Sequence, residues 1–127
     1  MEIDKLKYYI AQRLTSLTSI NVYNEKVPDG ATFPYLVFKF PASSHVVRHR
    51  KDWILEMDYW SNSYDDTDIL QAAIYVKSGT DSVVGLDSST QCEIEGFYYC
   101  NIDFEGEIPT DESNMSRYNQ RFLIKVD

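Results

Sequence analysis

Glu56 and Asp58 stand two residues apart beside Trp60. On an extended strand that spacing puts both carboxylates on one face, and paired acids can do acid–base work. No His or Lys partner lies close by in sequence, and an outward acid pair on an alternating strand is more often a solvated face. A second acidic run, Asp103, Glu105 and Glu107 with Asp111 and Glu112 beyond, offers the hard oxygen ligands that Ca²⁺ takes. It lacks a DxDxDG loop, so its alternation points rather to an acidic strand edge that discourages stray pairing. His45, Arg48, His49, Arg50 and Lys51 form the only basic cluster, in a chain of net charge −8. With the intervening Val46 and Val47, this segment reads as a solvated loop or as a contact for an acidic partner, a sister subunit or passing DNA. Two His are too few for a metal site.

Cys92 and Cys100, the two cysteines, are eight positions apart. In one straight strand they would lie roughly 26 Å apart and could not bond. A chain reversal at Gly96 would instead bring them face to face across a hairpin. Reduced, packed thiols are the default for two Cys in a chain of this size. P-loop, GxGxxG, GxSxG and HExxH motifs are absent, so the sequence gives no positive reason to propose an enzyme or a cofactor.

The elements that would position these residues follow from periodicity. Ile3, Leu6, Ile10, Leu14 and Leu17 make the apolar stripe of a helix over 4–17, with Glu2 and Asp4 at its positive end. Residues 20–24 read as a short strand, and Val27-Pro28-Asp29-Gly30 as a turn. A β-branched and aromatic strand runs over 35–40 and ends at Pro41. Residues 42–52 read as an exposed loop or the tip of a long hairpin. Strand 53–60 turns Trp53, Leu55, Met57 and Tyr59 inward and Ile54, Glu56, Asp58 and Trp60 outward. A second helix starts within 61–68, crowded with Asp65, Asp66 and Asp68, buries Ile69, Ala72, Ala73 and Val76, and ends near Lys77 and Gly79. Residues 83–86 have no clear form, 91–105 are strand material, and 107–116 a polar loop. The last strand, 117–126, turns Tyr118, Phe122, Ile124 and Val126 inward.

The expected fold is therefore α+β, in the order α-β-β-β-α-β-β: a small, mainly antiparallel sheet with two amphipathic helices packed on one face. The 127 residues suit one domain spanning 1–127. Ten Tyr suit surfaces that become buried on association. The acidic balance disfavours nucleic acid and anionic membrane as general partners. No basic start with an apolar segment and no long apolar run appears, so a cytosolic protein without a membrane span is expected.

Taken together, the N-terminal helix, the segment Val-Pro-Asp-Gly-Ala-Thr-Phe-Pro-Tyr-Leu-Val-Phe at 27–38, the Tyr-Trp-Ser at 59–61 before an acid-rich helix start, and the closing strand resemble the tail-completion, or tail-terminator, proteins of long-tailed bacteriophages and prophages. The resemblance covers nearly the whole chain, and Phe33-Pro34-Tyr35 and Trp60-Ser61 are its most specific parts. It implies a structural part that caps the tail tube or joins tail to head, with no catalytic residue and no cofactor. The implied partners are the tail tube protein and head–neck connector proteins, the implied assembly a homo-oligomeric, six-fold ring, with DNA met only in passage. The implied location is the host cytoplasm during assembly and then the virion. Loop 42–52 is unusually basic and loop 106–116 rather long for the pattern. A head-completion protein, a monomeric binding module such as an immunity factor, and a small hydrolase or nuclease on Glu56 and Asp58 are the alternatives.

Overall fold

The computed structural model describes residues 3–47, 50–62, 66–87, 97–110 and 114–126. Helix α1 (Ile3–Leu17) buries Leu6, Ile10, Leu14 and Leu17 of the predicted stripe together with Tyr9, while Ile3 is only partly buried. Five strands follow around a second helix: β1 (Asn21–Asn24), β2 (Tyr35–Val47), β3 (Arg50–Ser61), α2 (Thr67–Ser78), β4 (Phe97–Glu107) and β5 (Ser116–Val126). They form one sheet in the order β1-β2-β3-β5-β4. Every pairing is antiparallel except β1 with β2, which is parallel. The α+β class with a mainly antiparallel sheet is thus as the sequence predicts.

Both helices lie against the face formed by Leu36 and Phe38 of β2, Leu55, Met57 and Tyr59 of β3, Cys100 of β4, and Phe122, Ile124 and Val126 of β5. Each large side chain fully buried there contributes about 1.5–3 kcal/mol. Ala72 and Ala73 are buried in α2, where small side chains let the helix approach the sheet. Ser61 Oγ, at the end of β3, donates to Asp68 Oδ2 at 3.4 Å.

The chain then doubles back on the C-terminus of α2. Gly79 has φ +90°, and Leu86 and Asp87 donate backbone N–H groups to Val76 and Lys77 carbonyls at 2.8 and 3.0 Å. A Cβ on Gly85 would stand 2.4 Å from Lys77 O and Gly79 N, so only glycine permits this crossing. Residues 83–86, formless in the sequence, are this return, anchored by buried Leu86.

One boundary differs from expectation. Pro41 does not end β2. Two residues, Phe40 and Pro41, face Leu55 alone between the Lys39↔Glu56 and Ala42↔Ile54 pairs, and the strand continues to Val47. Such a bulge is where a strand tolerates the missing N–H of proline. Residues 42–47 and 50–52 are consequently arms of a long hairpin, the second of the two forms expected for 42–52. Helix α2 starts at Thr67, within the expected 61–68, with Ser61 still in β3 and Asp66 at the N-cap.

Candidate interaction surface

The sheet face away from the helices carries the acid pair of β3. Asp58 is only 6 % exposed although it points away from the core. Its Oδ1 accepts from Arg117 Nη2 at 2.9 Å, Arg117 Nε at 3.2 Å and Asn119 Nδ2 at 2.9 Å. Both partners come from β5, because the register sets Asp58 opposite Asn119 and Trp60 opposite Arg117. The Arg117 guanidinium also lies 4.9 Å from the Trp60 ring centre, a cation–π contact. Glu56 meets Lys39 of β2 at 3.6 Å. The two carboxylates are thus neutralised by separate cations on opposite neighbouring strands.

Aromatic side chains continue this face towards β1. Tyr35 sits opposite Trp60, with Tyr23 and Phe33 at ring-centre distances of 5.9 and 5.0 Å from it. Partial burial raises the Tyr35 hydroxyl pKa, with a smaller push from Tyr23. Tyr, Trp and Arg, half covered and close together, are the residue types that dominate protein interfaces.

The acidic run of β4 does not lie on one face. A register shift between Ile102 and Phe104 makes Asp103 the extra residue of a bulge. Asp103 pairs with Arg121 at 3.3 Å on the open face, where Arg121 also lies 5.7 Å from the Phe104 ring. Glu105 turns to the helix side. There it accepts from Lys77 Nζ at 2.6 Å and from Tyr118 hydroxyl at 2.9 Å. Burial would raise the Glu105 pKa, but hydrogen bonds from Lys77, Tyr118 and Gln120 outweigh it and hold the carboxyl below the usual range. Tyr118, desolvated and facing that carboxylate, is pushed up to about 12. Glu107 is exposed at the end of β4. The single acidic edge expected from alternation is thereby divided. Among the described residues no three His, Cys, Asp or Glu come together as a metal-binding group.

The predicted basic contact maps onto the β2–β3 hairpin. Val46 and Val47 end β2, Arg50 begins β3 opposite Val47, and Lys51 pairs with both His45 and Val126. Arg48 and His49 lie outside the described residues. The hairpin end stands where β5 finishes and β4 begins, while Glu107, opposite Tyr118 and hence level with Tyr59, is at the far end. The structure therefore does not bring the basic and acidic segments together within one chain. Cys100 is buried in the core, which pushes its thiol pKa up, and Cys92 lies outside the described residues.

Sequence reasoning missed Gln120. It interrupts the apolar inward face of β5 yet is fully buried, accepting from Tyr59 hydroxyl at 2.6 Å and donating to Ala73 O at 3.0 Å. Its place in phase with Tyr118 and Phe122 was the available signal. Compared with known proteins, the chain matches no family model and no curated protein.

Proposed function

We propose that this chain is a structural assembly protein of a long-tailed phage or prophage. It caps the tail tube or joins tail to head, acting by protein–protein contact as a ring subunit. One observation carries the reading beyond the sequence resemblance. His45, Arg50 and Lys51 of the basic cluster belong to the β2–β3 hairpin at one end of the sheet, and the exposed acidic residue Glu107 lies at the other. In a ring built head to tail, one patch of each subunit must meet a different patch on the next, and separated patches of opposite charge suit that geometry. The acid pair Glu56 and Asp58 is engaged by Lys39, Arg117 and Asn119, which favours a structural role for it over a hydrolytic one.

On this reading the partners are the tail tube protein and the head–neck connector proteins, met in the host cytoplasm and retained in the virion. Light scattering on the purified chain, alone and with the tail tube protein of the same gene neighbourhood, tests it. A ring, or a complex with tubes, is expected. A chain that ignores tubes but binds head–neck proteins would move the role to the head side, and a monomer that binds neither would overturn it in favour of a separate binding module.

A further inference from the structure

The two edges of the sheet are not equally closed. β1 pairs only with Tyr35–Phe38, four of the thirteen residues of β2. Beyond them no described strand lies on that side, so among the described residues the backbone edge of 39–47 has no strand paired to it. After Pro41 this edge reads Ala-Ser-Ser-His-Val-Val, without the Lys, Glu or Asp that natural edges use to repel a second strand. On the opposite side of the sheet, β4 is shielded at Ile102, whose N–H donates to Asp87 Oδ1 at 2.8 Å. The stretch from Asp103 to Glu107 continues past that shield.

Strand directions fit these edges to each other. β2 is antiparallel to β3, β3 to β5 and β5 to β4, so β2 and β4 run in opposite directions. A second copy placed beside the first, helices on the same side, therefore sets its β2 antiparallel to the first copy's β4. It cannot sit level, because the second copy's β1 occupies the rows that 103–107 would need. Sliding it by roughly seven residues, on the order of 20 Å, clears β1. That slide aligns 42–47 with the last residues of β4 and brings the basic hairpin end level with Asp103, whose side chain is 58 % exposed. A fixed stagger between neighbouring strands is also what closing a sheet into a ring requires.

We infer that the free edge of β2, residues 42–47, adds antiparallel to residues 103–107 of β4 in a second copy of this chain, extending one sheet head to tail with every helix on the same face. This rests on the assembly reading above and names the contact that would build the ring.

Chains with one introduced, accessible cysteine, in a Cys92→Ser background that leaves only Cys100 buried in the core, test it. Ser43→Cys or Ser44→Cys supplies one side, and Asp103→Cys or Glu107→Cys the other. Mild oxidation of a β2 variant mixed with a β4 variant should convert most of the chain to a covalent dimer in at least one pairing, with neither variant cross-linking alone. Carrying both substitutions on one chain should yield a ladder of dimer, trimer and higher species. Cross-linking of a β2 variant with itself would overturn the head-to-tail contact. Rings seen by light scattering with no disulfide in any pairing would overturn the edge contact and leave the assembly reading standing. No association of the unmodified chain, alone or on tail tubes, would overturn both.

Discussion

The two faces of this sheet handle polar residues in opposite ways. Under the helices, Gln120 and Glu105 stand in an otherwise apolar layer, and each is held by groups from more than one element: Tyr59 and the Ala73 carbonyl for the first, Lys77 and Tyr118 for the second. On the open face, charges are cancelled by short-range pairing across neighbouring strands, as in Lys39–Glu56, Asp58–Arg117 and Asp103–Arg121. The inner network fixes where α2 sits. The outer ladder keeps that face charged but locally paired, with the buried Asp58 carboxylate held by Arg117 and Asn119. A low exposure on a carboxylate is thus a weak sign of chemistry until its partners are known.

Substitutions should separate the two faces by size of effect. Phe122→Ala removes a ring with no exposed surface and should cost about 3–5 kcal/mol, read from the denaturant midpoint. Asp58→Ala strips Arg117 and Asn119 of their shared acceptor and should cost about 1.5–3 kcal/mol. A loss below about 0.5 kcal/mol would place that cluster with ordinary surface pairs. Gln120→Leu leaves the Tyr59 hydroxyl and Ala73 carbonyl without this partner and should cost about 1–3 kcal/mol, with part of the loss recovered when Tyr59→Phe is added.

The inner network also predicts a pH dependence with two signs. Glu105 has its folded pKa below the ordinary 4.5, so its contribution is present above that value and is lost as pH falls through the depressed one. Glu105→Gln should flatten that acid limb in denaturation curves taken at successive pH values. Tyr118 is raised from 10.0 to about 12, so its contribution holds below pH 10 and is lost as pH rises towards the upper value. Smallest of all, Lys39→Ala breaks an exposed pair at 3.6 Å and should cost under about 0.5 kcal/mol.

Much of the fold was legible because the sequence repeats itself along each element. The stripes at Leu6, Ile10 and Leu14 and at Ile69, Ala73 and Val76 could only be helix faces, and the alternation over 53–60 assigned its inward residues. What periodicity cannot show is an extra residue. The bulges at Phe40–Pro41 and at Asp103 change the phase of a strand without changing its composition, so a proline looked like a stop and three acids looked like one edge. Cross-strand pairing was equally hidden. Nothing near Asp58 in sequence announces Arg117, fifty-nine positions away. The parallel pairing of β1 with β2 likewise follows from the path of residues 25–34, not from the residues of β1.

The claim that this chain works by assembly is tested most directly by electron microscopy of tail tubes mixed with the purified protein. Extra ring-shaped density is expected at tube ends, lost when Arg48, Arg50 and Lys51 are reversed in charge and tested at low salt. Bare tube ends at saturating protein, with the folded chain remaining in solution as a monomer, would contradict it.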